Sequence, residues 1–427
     1  MIDIRQKKLS VPAILALIPA VLALLTAAWG GWSYQPFPDA GEYLTLAGNF
    51  FGGFEQNTNV PDGWRAPGYP ALLSLFYWGL GGYAYLPVNL LCWYFICFIV
   101  LNMGREWRLP LWGITLLLSV SAGMLTLSAT ALSEVPFTLF LLLNIELLRR
   151  KFLLHSALML AIAVLIRPAA MWLWVLEALW AAWQFPKCRR SLIWFVLAAN
   201  VLTALWCVRN YAIFEHFAFS SHSGRYLLFY KVGHAVAKSN GVPFEEFRFN
   251  TMQNLSGDEF EQDTQAQKLA TAWITNNFPQ FAVAMLSDLP NFLMPDINGF
   301  MERIKVISGN RGTLDVLHRS GAAAAWKHYF SNSEPWAVWL TVLYIGGYAL
   351  TLLFAFAGLM ILLWQRRWRT VVPLLLLIGY FWLIPCGNLD WRFRMPVWWV
   401  FILLAVYPVS FVSERRRGRH SGEAEQN

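Results

Sequence analysis

The sequence predicts an all-α polytopic membrane protein with about ten transmembrane helices, a long first outer loop and a second, mostly helical outer loop. Three observations predict it. Hydrophobic residues make up 57% of the 427, with 23 tryptophans among them. Ten apolar stretches recur along the chain, several near the roughly 20 residues needed to cross a bilayer. Basic clusters fall at every second boundary between those stretches.

In order, the apolar stretches are 11–32, 86–103, 110–130, 134–148, 152–166, 169–185, 191–208, 335–364, 370–386 and 395–412. The first follows a short basic region, but Trp29-Gly30-Gly31-Trp32 is not a small-residue cleavage site, so it reads as a retained span. Arg5, Lys7 and Lys8 precede it. Arg105 and Arg108, then Arg149, Arg150 and Lys151, then Lys187, Arg189 and Arg190 follow later spans. Arg366, Arg367 and Arg369 come next, and Arg415, Arg416, Arg417 and Arg419 close the series. All clusters share one side only if all ten stretches cross, which puts both termini in the cytoplasm. The net charge of +8 then reflects orientation and anionic membrane lipid. No nucleic-acid motif is visible, so no nucleic-acid partner is expected.

The chain divides into three regions: an N-terminal membrane module over 1–208, an outer subdomain over 209–334, and C-terminal membrane helices with a basic tail over 335–427. The first outer loop, 33–85, opens with Pro36-Phe37-Pro38-Asp39-Ala40-Gly41-Glu42-Tyr43. Its spacing predicts an interfacial helix to about Phe51, capped by Asp39 with Glu42 completing a capping box. In the second loop, Asp258 to Asn277 reads as an amphipathic helix, and Phe278 to Phe300 as an interfacial segment broken by Pro279, Pro290 and Pro295. The five cysteines show neither metal spacing nor a disulfide framework and read as small core residues.

Against the charge bias stand Trp64-Arg65-Ala66-Pro67-Gly68-Tyr69-Pro70, Val208-Arg209-Asn210-Tyr211 and Trp391-Arg392-Phe393-Arg394-Met395-Pro396. These cations sit at the outer ends of apolar stretches, together with Asp39, Glu134 and Arg167. Each has an ordinary reading beside a functional one. Asp39 is a helix cap or a general base at the membrane surface. Arg65 is a snorkelling anchor or a guanidinium positioned by the two prolines C-terminal to it. Ser133 reads as the cap of the next helix, with Glu134 in its first turn complementing the helix dipole, or Glu134 serves as a second carboxylate. Arg167, with no solvated loop to hold it, is a functional candidate or the ion-pair partner of Glu134. His222 and Arg225, in Ser220-Ser221-His222-Ser223-Gly224-Arg225, belong to an ordinary loop or contact sugar and phosphate. Arg392 and Arg394 pair with Asp390 or bind an anion. There is no P-loop, Rossmann fingerprint, nucleophile elbow or histidine metal cluster.

The ordered set Asp39, Arg65-x-Pro67-Gly68-Tyr69-Pro70, Ser133-Glu134, Ile166-Arg167-Pro168, Trp206-Cys207-Val208-Arg209-Asn210-Tyr211 and Arg392-x-Arg394-x-Pro396 resembles the GT-C membrane glycosyltransferases. It is most similar to the glycosyltransferase family 39 and aminoarabinose-lipid A transferase branch. The resemblance implies a GT-C fold, with Asp39 as catalytic carboxylate, Glu134 as a second acidic residue and Arg65 as the cation on a lipid phosphate. It makes Arg167, Arg209, Arg392 and Arg394 recurring basic positions. Glu42, Tyr43, Tyr69, Asn210, His222 and Arg225 complete the expected substrate-binding set. Two departures stand out. Trp64 replaces an acidic residue that the aminoarabinose enzymes carry before the cation. No large C-terminal soluble domain is expected, so the acceptor need not be lipid A.

The expected activity is transfer of a sugar from a polyprenyl-phosphate donor to a glycan, lipid or protein acceptor. The expected place is the periplasmic face of a bacterial inner membrane. No cofactor is expected, with a divalent metal left open. Partial burial is expected to raise the pKa of Asp39 or Glu134 toward a useful value. A polymerase or ligase using a diphosphate-linked glycan is the enzymatic alternative. A lipid-linked sugar flippase is the alternative from another class, although it favours charges near the bilayer midplane.

Overall fold

Proline and glycine set where the helices begin and stop. Pro12, Pro38 and Pro335 occupy the first turns of their helices, where a missing N–H costs nothing. Gly31, at φ 90°, ends the first helix in a conformation that side chains resist. The computed structural model describes residues 10–35, 37–55, 61–306, 313–331, 334–387 and 390–424. Arg5, Lys7 and Lys8 lie outside the described residues, as do the side chains of Arg415, Arg416, Arg417 and Arg419.

The membrane module comprises α1 (Val11–Gly30), α2 (Pro38–Gly48), α3 (Gly68–Leu80), α4 (Tyr85–Glu106), α5 (Leu111–Ser119), α6 (Ala122–Ser128) and α7 (Glu134–Arg149). It continues with α8 (Leu153–Ile166), α9 (Leu173–Gln184) and α10 (Arg189–Phe214). The segment between α10 and the last three helices contains α11 (Ser223–Tyr226), a π-helical turn over Leu227–Val232, α12 (Gly233–Asn240), α13 (Phe244–Met252) and α14 (Glu259–Asn276). It then runs through α15 (Phe278–Ser287), α16 (Leu289–Phe292), α17 (Ile297–Arg303) and α18 (Thr313–Tyr329). The chain closes with α19 (Pro335–Trp364), α20 (Trp368–Leu383), a 3-10 turn over Trp391–Val397 and α21 (Trp398–Ala424). No β-strand occurs among the described residues.

Every apolar stretch expected from the sequence is helical, but not every one is long. Among the described residues, five segments are long and apolar enough to cross a membrane: α1, α4, Arg190–Phe214, α19 and Trp391–Ser413. A sixth is α5 with α6, if that pair, bent by 62°, counts as one span. Helices α7, α8, α9 and α20 have 16, 14, 12 and 16 residues. At about 1.5 Å per residue they reach roughly 18–24 Å, short of a hydrocarbon core of roughly 30 Å. Their ends explain the shortness. Lys151, at φ 68°, reverses the chain after α7, and Pro168 comes directly after the residue that ends α8.

The long helices α10 and α19 keep most of their apolar surface outside the protein core. Ile193, Trp194, Leu197 and Leu205 are exposed, as are Trp339, Leu343 and Phe356. Continuous apolar surface on a long helix is what lipid covers. Inside, α4, α7, α8 and α21 contribute to one buried cluster around Trp93, Phe137, Leu160 and Val400. The segment after α10 has its own small core of Leu228, Phe229, Val232, Val236, Ala266 and Ala270. The helix expected over Asp258 to Asn277 forms as α14, and Asp258 makes a capping box with Glu261 at its start. Pro279 and Pro290 lie in the first turns of α15 and α16, as the broken pattern of 278–300 predicts.

The start of α3 and the end of α8 meet at a glycine. A Cβ on Gly68 would lie 2.7 Å from the Leu165 carbonyl carbon and 2.8 Å from the Ile166 nitrogen. The absence of a side chain there lets the start of α3 rest on the end of α8. Arg65 and Arg167 lie just beyond those two ends.

Candidate functional site

Asp62 shapes the segment that carries Arg65. Its Oδ1 accepts from the Trp64 and Arg65 amides at 2.9 and 2.6 Å, an Asx-type turn. The turn directs the Arg65 side chain toward α2. There Nε donates to Glu42 Oε2 at 2.6 Å, and Nη2 lies 2.9 Å from Asp39 Oδ1. The same guanidinium sits 5.4 Å above the Tyr43 ring, and Tyr43 meets Tyr69 edge-on at 5.0 Å. Tyr69 is fully buried and donates to Asn89, whose Nδ2 holds the Thr130 carbonyl at 2.6 Å.

A second cation pair closes the site from the other side. Arg167 Nη1 lies 2.7 Å from Glu134 Oε1 and donates to Ser133 Oγ at 3.2 Å. Ser133 Oγ is also 3.3 Å from the Tyr43 hydroxyl. Arg392 Nη1 is 3.8 Å from Asp39 Oδ2 and 3.9 Å from Glu134 Oε1, joining the two halves. Its Nε is 3.4 Å from Asp390, and its guanidinium rests on the Phe37 ring at 4.8 Å. Glu134 is only 2% exposed, and its Oε2 has no hydrogen-bond partner among the described residues.

Asp39, Glu42, Tyr43, Arg65, Glu134, Arg167 and Arg392 therefore meet in one cluster. Other candidates stand behind it. Arg209 Nη1 donates to the Asp62 carbonyl at 3.0 Å and to Asn210 Oδ1 at 2.8 Å, with its plane 4.6 Å from Trp206. It braces the Asx turn rather than touching Asp39. His222 lies against Trp64, their rings tilted by 39° with centroids 4.0 Å apart, and Arg225 covers the same indole at 4.5 Å. Two more candidates hold backbone carbonyls elsewhere. Asn210 is fully buried and ties down the Ala218 and Phe219 carbonyls. Arg394 is also fully buried and donates to the carbonyls of Phe292 and Met294, between the rings of Tyr348 and Trp398. Successive residues of a 3-10 turn point different ways, so Arg392 faces the cluster and Arg394 the interior.

Three sequence expectations are corrected. The capping box at Asp39 does not form: Phe37 is the cap residue, Asp39 is inside the first turn, and Glu42 binds Arg65 instead. A charge-assisted bond to a guanidinium outcompetes one to a backbone N–H. Ser133 makes no side-chain cap to α7, its hydroxyl being engaged by Tyr43 and Arg167. The pKa of Asp39 is not raised. Burial pushes it up, but Arg65, then Arg392 and Arg167, outweigh burial and hold it below the usual carboxylate value.

Burial, then the positive charges of Arg65 and Arg225, push His222 down to about 4, so it is neutral at pH 7. Beside the cluster lies a cavity of about 760 Å³, lined by Glu42, Asp62, Trp64, Arg65, Phe214 and Phe260 among others. Its size is that of a small-molecule site. No group of three or more His, Cys, Asp or Glu able to hold a metal occurs among the described residues.

The sequence reading missed Asp62, Asn89 and Phe37. Asp62-Gly63 is a turn signal that locates the first of these. The other two carry no local signal, because their roles depend on what packs against them. Comparison of the chain with family profiles, with curated proteins and with solved structures returned no match.

Proposed function

We propose that the protein is an integral-membrane glycosyltransferase that moves one sugar from a polyprenyl-phosphate donor to an acceptor at the membrane surface. The single observation that carries this reading is the convergence of Arg65, Arg167 and Arg392 on Asp39 and Glu134, beside a cavity that can take a sugar. The full reading includes ten crossings, with both termini cytoplasmic and the cluster facing the periplasm of a bacterial inner membrane.

The chemistry asks for this combination. The acceptor hydroxyl attacks the anomeric carbon, and the bond from that carbon to the phosphate oxygen breaks. The phosphate keeps the electron pair and leaves as polyprenyl phosphate. That needs cations to hold the growing negative charge, a role suited to the bidentate guanidinium. The hydroxyl proton passes to a carboxylate, and Asp39 is the base in this scheme, with Glu134 second. In the free protein Asp39 is a weak base because Arg65 and Arg392 stabilise its anion. A donor phosphate competing for those guanidinium groups removes that stabilisation, which strengthens the base as the donor binds.

A flippase favours charges near mid-bilayer and a path open to both sides, whereas the cations here gather at one end of the helices. Reconstitution in liposomes with a polyprenyl-phosphate sugar and candidate acceptors tests the proposal. The expected products are free polyprenyl phosphate and a glycosylated acceptor. Donor that crosses the bilayer intact, with no sugar transferred, overturns it in favour of transport.

A further inference from the structure

A second cavity lies toward the opposite end of the bundle from the carboxylate–arginine cluster. Helix α7 fixes the relation: Glu134 begins it, and Arg149, which lines this second cavity, ends it. The cavity measures about 310 Å³ and lies between the ends of α4 and α7, the side of α9, and α20. Its walls are mostly apolar, with Leu173, Leu176, Leu374 and Leu377 among them.

Helix α9 contributes Glu177, Trp180 and Gln184, at positions i, i+3 and i+7. That spacing puts them on one face, in a column about 10 Å long. All three line the cavity. Glu177 is 7% exposed; its Oε2 accepts from Asn144 at 3.1 Å, but its Oε1 is buried with no hydrogen-bond partner among the described residues. Trp180 Nε1 and Gln184 Oε1 are buried and unpartnered in the same sense. Buried polar atoms cost stability unless something satisfies them. Three in one column along an apolar cavity are what a bound amphiphile would satisfy. Arg149 and Arg369 line the same cavity. Arg149 is engaged by Glu146 at 2.8 Å and by Glu106, whereas Arg369 is exposed and has no ion-pair or hydrogen-bond partner among the described residues.

We infer that this cavity is a binding site for a membrane glycerophospholipid whose headgroup carries hydrogen-bond donors. The phosphate pairs with Arg369 beside Arg149, as a guanidinium and a phosphate do. Headgroup donors, an ammonium or hydroxyls, meet the acceptors Gln184 Oε1 and Glu177 Oε1. An ester carbonyl or phosphate oxygen accepts from Trp180 Nε1. Acyl chains lie on the leucine walls. The site is separate from the sugar-transfer cluster and does not depend on the function proposed for it.

Native mass spectrometry of the intact, detergent-solubilised protein tests this with three lipids of equal chain length. Phosphatidylethanolamine carries an ammonium donor, phosphatidylglycerol hydroxyl donors, and phosphatidylcholine no donor. The first two are expected to remain bound, and the third to bind about tenfold more weakly, the loss of one or two hydrogen bonds. Preference between the first two identifies the donor. Arg369→Ala and Gln184→Leu each lie at a helix end and are expected to weaken retention by roughly fivefold. Equal retention of all three lipids, no retention of any, or wild-type affinity in both variants overturns the assignment.

Discussion

The Arg392 guanidinium lies 3.8 Å from the Asp39 carboxylate, although Asp39 belongs to α2 near the start of the chain and Arg392 to the turn before the last helix. The contact closes the site, because Arg392 also reaches Glu134 at 3.9 Å. The carboxylates and guanidinium groups thus form one network, and disturbing one member changes the charge seen by the others.

Asp39→Asn keeps the shape of the side chain and removes its basicity. Sugar transfer is expected to fall by roughly 10²–10⁴-fold while donor binding persists. Single-turnover assays and donor titration separate the two effects. Because Arg65 and its neighbours hold the Asp39 pKa below the usual carboxylate value, the deprotonated form survives to lower pH in the free protein. The acid limb of kcat/KM, which reports the free enzyme, should therefore lie below the usual range for aspartate. Full transfer activity in Asp39→Asn discards the base assignment.

Arg65→Lys keeps one charge but cannot serve Asp39, Glu42 and a phosphate together. Donor affinity is expected to drop by about tenfold, with the loss larger in Arg65→Ala. Isothermal titration with a short-chain polyprenyl phosphate measures it, and unchanged affinity in the alanine variant rules out a phosphate role.

Glu134 and Arg167 form an ion pair at 2.7 Å, with side chains 2% and 20% exposed. Removing one partner from such a pair costs roughly 3–5 kcal/mol, since it strands the other charge. Glu134→Gln and Arg167→Ala should each lower thermal stability in detergent, and the double variant should lose less than the sum. Simple additivity of the two losses contradicts the coupling.

Gly68→Ala tests how the site is assembled. The new methyl meets backbone atoms of Leu165 and Ile166 at 2.7–2.8 Å, and backbone cannot step aside as a flexible side chain can. A loss of about 1–3 kcal/mol is expected, together with weaker donor binding as Arg65 moves from Arg167. A melting temperature and donor affinity equal to those of the wild type show that the two helix ends do not need this approach.

His222 supplies a pH signature. Its pKa is lowered to about 4 in the fold, from an unfolded value near 6.5. Between those values the unfolded chain binds more protons, so stability rises with pH. The contribution is complete above about pH 6.5 and is lost as pH falls toward 4. Thermal melts over this range should be less steep in pH for His222→Gln than for the wild type. Parallel curves show that another group is responsible.

Much of this protein is written locally. Apolar stretches, prolines and the glycine after α1 mark where helices start and stop, because propensity and hydropathy act over a few residues at a time. The turn at Asp62-Gly63 and the capping box at Asp258 are legible for the same reason. Arg65, Arg167 and Arg392 stand out in the sequence as cations apart from the basic clusters, at the ends of apolar stretches.

Tertiary structure decided which of those charges meet. Arg392 and Arg394 are two residues apart and look equivalent in sequence, yet one faces Asp39 and the other is sealed among Tyr348, Trp398 and two carbonyls. Glu42 has the spacing of half a capping box, but a guanidinium from outside its helix offers a stronger partner. Burial favours a raised Asp39 pKa, but three arginines brought in from distant segments reverse its direction. Coulombic and packing energies depend on distance through space, and only the folded chain sets those distances.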